Sequence, residues 1–90
     1  MKISFDSSFK RAYKSKLKEG AITEEKFLIV LKLFMEDPYS ESLKTHKLSG
    51  KLKGIWSFSL GYDLRVLFYF TNDKPKNVVI TNIGNHDEVY

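Results

Sequence analysis

The stretch IWSFSLGYDLRVLFYF, residues 55–70, predicts two neighbouring strands and with them most of the fold. In residues 55–60, Trp56, Phe58 and Leu60 alternate with Ile55, Ser57 and Ser59, which is the period of a half-buried strand. Residues 61–63, GYD, supply a turn, and residues 64–70 are almost continuously apolar, as suits a central strand that is covered on both faces. The segment therefore predicts a hairpin in the middle of a sheet.

Cap and turn residues divide the remaining chain into four further elements. They are a short strand in KISF (residues 2–5), a helix that begins at Asp6 or Ser7 and ends at Gly20, a helix that Thr23 caps and Asp37-Pro38 ends, and a strand in NVVITNI (residues 77–83). The order β-α-α-β-β-β predicts one α+β domain over residues 1–90, with a helical hairpin packed on one side of a small antiparallel sheet.

Size and composition indicate a single hydrophobic core that is stable without disulfide bonds or bound metal. Ninety residues with 42% hydrophobic side chains can form such a core, and the absence of cysteine excludes disulfides and thiolate metal sites. No apolar run reaches the length of a signal peptide or a membrane span. We therefore expect a cytoplasmic protein with no membrane partner.

A basic segment precedes the hairpin and extends into it. Its bases are Lys44, Lys47, Lys51, Lys53 and Arg65. Asp63 is its one acid, and the whole chain carries a net charge of +4. Such a patch can attract a polyanion or an acidic protein. For the lysines alone, a solvated surface without a ligand is the commoner role.

Arg65 interrupts the apolar second strand of the hairpin. Alternation places it on the side opposite Leu64, Val66 and Phe68. If those three side chains pack against the helices, Arg65 points from the open side of the sheet, where its guanidinium could hold a phosphate with two hydrogen bonds. An ion pair with Asp63, on the same side, is the alternative interpretation.

The two histidines of the chain, His46 and His86, lie at the borders of predicted strands. Imidazole gives and takes protons near neutral pH, and with Asp63, Arg65 and Tyr90 the histidines form a candidate acid-base set that needs no metal. A histidine in a loop is usually only solvated, and the two lack metal-ligand spacing. No P-loop, GxSxG, CxxC or HExxH motif competes with this set.

Three stretches carry a resemblance to a known family. They are THKLSGKLKGIWSFSL (residues 45–60), with a His-x-Leu-x-Gly-x-x-x-Gly pattern, GYDLRVLFYF (residues 61–70), with a basic residue in a central strand, and IGNHDEVY (residues 83–90), with Gly-x-His closed by an aromatic. In this order, after a helical hairpin, they resemble bacterial toxins of the RelE/ParE superfamily, in particular its YafQ-like branch. The resemblance extends over essentially the whole chain and implies a RelE-like fold.

The resemblance implies the toxin of a type II toxin-antitoxin system, which cleaves messenger RNA on the ribosome and so inhibits translation. In such endoribonucleases the 2′-hydroxyl of the substrate attacks the adjacent phosphate and leaves a 2′,3′-cyclic phosphate, without a metal or other cofactor. The implied partners are a cognate antitoxin, the ribosome and messenger RNA. The toxin alone would be a monomer.

Roles for the candidate residues also come from this resemblance. His46, Asp63 and His86 match acid-base positions of the YafQ-like pattern. Arg65 matches the transition-state arginine of the wider superfamily, and Tyr90 matches the closing aromatic, which would orient a nucleotide. His86 would be the general acid. The residues that would contact RNA phosphates are Lys44, Lys47, Lys51 and Lys53.

Ser59 departs from the family pattern, because YafQ-like toxins can carry a further histidine on the strand before the GYD turn. Serine cannot act as a base near neutral pH without help. The identity of the general base therefore stays open between His46 and Asp63.

Two other functions are compatible with this fold. A ParE-like protein would inhibit DNA gyrase by binding and would need no acid-base set, so the joint presence of two histidines, Asp63, Arg65 and Tyr90 favours the nuclease. A catalytically inactive homologue that only binds its antitoxin is the third interpretation. For a nuclease, we expect that removal of residues 86–90 abolishes activity and largely spares the fold.

Overall fold

The helices and strands follow the predicted order, with two short additions. A computed structural model describes residues 1–90. Its elements are β1 (Ile3–Phe5), α1 (Ser7–Glu19), α2 (Glu24–Glu36), β2 (His46–Lys47), β3 (Trp56–Leu60), β4 (Leu64–Phe70), β5 (Val78–Gly84) and α3 (His86–Val89). One-turn 3-10 helices lie at Glu41–Leu43 and Gly50–Leu52. The sequence prediction lacked β2 and α3 because such short elements give no periodic pattern.

The strands form one sheet in the order β1-β5-β4-β3-β2. The predicted hairpin is confirmed, since β3 and β4 pair antiparallel with Phe58 opposite Val66. β4 also pairs antiparallel with β5, which places it at the centre of the sheet. The prediction of a wholly antiparallel sheet was wrong, because β1 pairs with β5 in the parallel sense. β1 forms the edge of the sheet beside β5. The two helices and the strands β2 to β4 connect β1 to β5, and a parallel pair requires a long connection of this kind.

Both long helices begin and end where the sequence indicated. Asp6, rather than Ser7, caps α1, and its carboxylate accepts a main-chain N–H of the first turn at 2.9 Å. Gly20 ends α1 with φ 74°, in the left-handed region that costs glycine little. Thr23 caps α2 through its side-chain oxygen. No helix combines the length and the apolar character that a membrane crossing would require.

The core lies between the two long helices and one face of the sheet. Phe34 of α2 is fully buried, and its ring centroid lies 4.6 Å from that of Phe58 and 4.9 Å from that of Phe68. Val66 and Ile80 are also fully buried in the same cluster. The apolar side of β4 therefore packs against the helices, and Arg65 is directed to the opposite side of the sheet.

Candidate active site

The face of the sheet directed away from α1 and α2, called the open face below, carries most of the polar candidates. His46 pairs with Ser57 across β2 and β3, and Ser59 pairs with Arg65 across β3 and β4. Paired residues of neighbouring strands project to the same side, so His46 and Arg65 share the open face. Two strand spacings and two residues along a strand put their Cα atoms about 12 Å apart. Two long side chains can therefore reach one bound phosphodiester between them.

The short helix α3 lies against part of the open face. The Tyr90 hydroxyl donates a hydrogen bond to the buried Ser57 Oγ at 2.6 Å. Val89 of α3 and Leu67 of β4 are both buried, although neither belongs to the main core. The imidazole of His86 meets the Tyr90 ring at 90°, with 4.6 Å between ring centroids. The C-terminal segment thus brings His86 and Tyr90 to the face that holds His46 and Arg65.

Gly84 allows α3 to approach β5 closely. A Cβ atom at this position would lie 3.0 Å from the Glu88 Cβ and 3.1 Å from the Val89 Cγ1. Asn85 then caps α3 in a capping box with Glu88, in which each side chain accepts the other residue's main-chain N–H. The Gly-x-His pattern of the sequence therefore has a packing reason, because only glycine leaves room for the turn that delivers His86.

Lys16 of α1 anchors α3 from the side. Lys16 is buried, and its Nζ lies 2.7 Å from both carboxylate oxygens of Glu88 and 3.1 Å from Glu19 Oε2. Sequence reasoning missed Lys16, although its position seven residues after Phe9 and three after Tyr13 places it on the buried face of α1. Removal of residues 86–90 would leave this buried ammonium with Glu19 alone and expose Leu67. From these contacts we expect such a truncation to destabilise the fold as well as to abolish activity, which differs from the expectation based on sequence.

The anchor is expected to be sensitive to acid. The main-chain N–H of Asn85, followed by the Lys16 ammonium, lowers the pKa of Glu88 from its ordinary 4.5, and the hydrogen bond to Glu88 raises the pKa of Lys16 from 10.5. A lowered carboxyl pKa stabilises the folded state above 4.5, and this contribution is lost as the pH falls through the folded value. The raised lysine pKa contributes below 10.5 and is lost only above it. The docking of α3 should be intact at neutral pH and weaken below pH 4.5.

Amide NMR signals of residues 86–90 measure this docking during a titration from pH 7 to pH 3. Glu88→Gln should show at pH 7 the loosened signals that the native chain shows only in acid. Glu19→Gln, which removes the more distant carboxylate, should keep the native pH dependence. Signals of α3 that stay unchanged down to pH 3 would contradict the role of Glu88.

Arg65, Asp63 and Lys44 line one depression of about 410 Å³ at the β3–β4 end of the open face. Arg65 is half-buried, and its Nη1 donates to the Leu64 carbonyl oxygen at 3.0 Å. No ion pair joins Arg65 to Asp63, so the alternative interpretation of Arg65 is wrong. Ser59 also lines the depression. The guanidinium and the Lys44 ammonium thus remain available for an anion.

His46 is exposed, and a hydrogen bond determines its tautomer. Its Nδ1 lies 2.8 Å from the carbonyl oxygen of Lys44. A carbonyl oxygen can only accept, so Nδ1 carries the hydrogen, and the neutral ring presents an unprotonated Nε2. An acceptor nitrogen directed to solvent on the open face suits a general base.

The two carboxylates that follow His86 in the sequence interact with it only weakly or not at all. Its Nδ1 is 3.6 Å from an Asp87 oxygen, and the Asp87 side chain is fully exposed. The other neighbouring carboxylate, Glu88, is engaged by Lys16. The imidazole of His86, itself 70% exposed, is therefore accessible to a ligand.

The four predicted RNA-binding lysines do not lie together. Lys44 lines the depression with Arg65, whereas Lys47 follows His46 on β2 and projects to the opposite side of the sheet, over the Trp56 ring. Lys53 lines that opposite side as well. Lys51 is exposed on a 3-10 helix. No group of three histidine, aspartate or glutamate side chains is arranged to hold a metal ion.

A family match covers the whole chain. The family described as bacterial toxin of type II toxin-antitoxin system, YafQ, matches residues 1–90. A search among curated proteins found no significant match.

Solved toxin structures share the fold. YafQ from E. coli strain BL21(DE3) superposes with a TM-score of 0.81 at 17% identity, over 98% of this chain and 96% of that one. A copper-bound mutant toxin from Helicobacter pylori gives 0.79 at 20% identity, over 100% and 99%. The E. coli DinJ-YafQ toxin-antitoxin complex gives 0.77 at 17% identity, over 98% and 94%. These superpositions confirm the predicted RelE-like architecture.

Proposed function

Because this chain belongs to the YafQ family of bacterial toxins of type II toxin-antitoxin systems, we propose that it is a metal-independent endoribonuclease that cleaves messenger RNA on the ribosome. One observation carries the proposal beyond the family. His46 of β2, Arg65 of β4, and His86 and Tyr90 of the C-terminal segment lie at the open face. A protein that acted only by binding would not need two accessible imidazoles beside an arginine without an ion pair.

The reaction is an internal transfer at one phosphodiester. His46 Nε2 accepts the proton of the 2′-hydroxyl, whose oxygen attacks the adjacent phosphorus. The bond from phosphorus to the 5′ oxygen of the next nucleotide breaks, and His86 in its protonated form donates a proton to that oxygen. The products are a 2′,3′-cyclic phosphate and a free 5′-hydroxyl, so atoms and charges balance without a metal or a cofactor.

Arg65 and Tyr90 support this step. The Arg65 guanidinium would hold the two non-bridging phosphate oxygens, where negative charge accumulates in the transition state. Lys44, in the same depression, would contact a neighbouring phosphate. Tyr90 packs on the His86 ring and is tied to Ser57, so it both orients the acid and offers its ring edge to a base.

The general base is assigned to His46 rather than Asp63. The assignment rests on the Lys44 carbonyl, which keeps the hydrogen on His46 Nδ1 and leaves Nε2 as the acceptor, whereas no hydrogen bond orients Asp63 in the β3–β4 turn. We expect His46→Ala to lower the rate of cleavage about 10²-fold, and Asp63→Asn to lower it at least tenfold less. Single-turnover cleavage of a message in the ribosome measures both. A larger loss for Asp63→Asn would assign the base to Asp63.

The partners follow from the family and from the surface. The E. coli relative is a toxin solved with DinJ, and the present chain would likewise be silenced by a cognate antitoxin, whose acidic and partly disordered segment would cover the open face. The second partner is the ribosome with its message, which would position the RNA for a protein with so shallow a site. With these partners the protein would act in the cytoplasm, and the free toxin would act as a monomer.

The deciding experiment first strips metal ions from the purified protein with EDTA and removes the chelator. The protein is then incubated, in the magnesium buffer that ribosomes require, with ribosomes that carry a defined message, and the 5′ ends of the fragments are mapped. We expect cleavage with 5′-hydroxyl and cyclic phosphate ends, little cleavage of the same message without ribosomes, and none after addition of the antitoxin. Intact messages together with inhibited DNA gyrase supercoiling would establish the ParE-like alternative. Intact messages with antitoxin binding alone would indicate an inactive homologue.

A further inference from the structure

A second depression lies on the helix-bearing side of the sheet, where α1 and α2 leave the β2 end uncovered. Its floor is formed by the half-buried rings of Trp56 and Phe70, which meet at 85° with 5.3 Å between centroids. The exposed ring of Tyr39, just after α2, packs edge-on against Trp56, with 6.0 Å between the ring centroids. The depression has a volume of about 620 Å³, which is within the usual range for ligand sites.

Three lysines surround these rings. Lys47 Nζ lies 5.4 Å from the Trp56 ring centroid, and Lys76 Nζ lies 6.0 Å from the Phe70 centroid. Lys53 completes the rim. All three are exposed, none belongs to an ion pair, and no aspartate or glutamate lines the depression. The aromatic floor therefore lies within an uncompensated positive rim.

We propose that this depression binds single-stranded RNA, with one unstacked base against Trp56 and Phe70 and the adjoining phosphates on Lys47, Lys53 and Lys76. Stacking of a base on an aromatic ring is stronger than an exposed contact between an ammonium and the same ring, so a base can displace Lys47 from the Trp56 face. The displaced ammonium remains within reach of the phosphate of that nucleotide. The carboxylates of an acidic peptide would pair with the lysines and make no contact with the aromatic rings, whereas a nucleotide would place its phosphate on the lysines and its base on the rings.

The depression is separate from the catalytic groups. His46 and Lys47 are consecutive on β2 and project to opposite faces of the sheet, so RNA bound here lies across the sheet from Arg65. The site would hold the toxin on RNA without taking part in proton transfer. It rests on the proposed function only for the choice of RNA over DNA, and its binding can be measured without any cleavage.

Trp56 is the single tryptophan of the chain, so its fluorescence reports directly on this depression. The test titrates the full chain carrying His86→Ala, which should slow any cleavage, with a single-stranded hexauridylate at low salt. We expect quenching of Trp56. Phe70→Leu, which keeps an apolar side chain, should weaken binding roughly 5- to 150-fold. Lys47→Ala and Lys76→Ala should each reduce the slope of log affinity against log salt by about 0.7.

Matched controls separate this site from general attraction. Lys18→Ala removes an equally exposed charge on α1 and should leave the quenching unchanged. Thermal melts verify that every variant is folded. Absence of quenching, equal quenching by heparin with no effect of Phe70→Leu, or preferential binding of a polyglutamate peptide would each overturn the proposal.

Co-sedimentation with ribosomes then identifies the source of the RNA. If Phe70→Leu and Lys76→Ala weaken binding to vacant ribosomes, the depression holds ribosomal RNA. If they weaken binding only when a message is loaded, it holds messenger RNA. Unchanged binding to both would overturn the proposal. Failure of cleavage with normal quenching would count against the proposed enzyme and leave this site standing.

Discussion

His86→Ala is expected to lower the rate of ribosome-dependent cleavage about 10²- to 10⁴-fold, which is the usual contribution of a positioned general acid. The leaving 5′ oxygen is a poor leaving group unless it is protonated as the bond breaks. His86 is the accessible imidazole held at the Tyr90 ring by α3. Single-turnover cleavage of a defined message, with enzyme in excess, measures the chemical step alone.

The loss should come from chemistry and not from unfolding. The His86 side chain is 70% exposed, so its removal should change the free energy of unfolding by no more than about 0.5 kcal/mol. Asp87→Ala is the matched control, since Asp87 is the neighbouring residue and is fully exposed. A surface ion pair contributes little, and this control should retain activity within about fivefold. A His86→Ala protein that cleaves as fast as the native chain would remove His86 from the mechanism.

Arg65→Ala is expected to lower the rate of the chemical step about 10²- to 10³-fold, as the loss of a transition-state hydrogen-bond donor does elsewhere. The guanidinium is already oriented by its bond to the Leu64 carbonyl and has no acidic partner to leave. Because the interaction would strengthen as charge accumulates on the phosphate, kcat and kcat/KM should fall together.

Conservative and distant substitutions test the role of the arginine. Arg65→Lys keeps the charge but loses the two-pronged geometry, so it should restore only part of the activity. Lys18→Ala removes one exposed charge from α1 and should leave kcat unchanged. Thermal melts should show a loss of about 1 kcal/mol for Arg65→Ala, from the missing main-chain hydrogen bond. A rise in KM alone, with kcat unchanged, would make Arg65 a binding residue only.

Local sequence patterns predicted the structural features that are determined by residues close together in the chain. The apolar run of residues 64–70 predicted the central strand, and the alternation within it placed Arg65 away from the helices. Asp6, Gly20 and Thr23 predicted the helix boundaries, because caps act within one turn. The family was recognised from three short motifs, and the match over residues 1–90 confirms it.

The candidate site was predictable in its membership but not in its arrangement. His46, Asp63, Arg65, His86 and Tyr90 were all singled out from sequence, and their catalytic roles stay predictions. The lysines were grouped by their proximity in sequence, yet Lys44 and Lys47 lie on opposite sides of the sheet. The sequence could not predict this separation, because β2 is too short to show an alternating pattern.

By itself, the sequence determined the two long helices, four of the five strands and the side of β4 that faces the core, since these properties follow from periods of two and 3.6 residues and from local caps and turns. Only the tertiary structure decided that α3 docks on the open face, where Lys16 meets Glu88 across 72 positions of sequence. It also decided the tautomer of His46 and the parallel pairing of β1. A local pattern cannot encode a contact between distant segments, because the partner that stabilises it comes into reach only when the chain has folded.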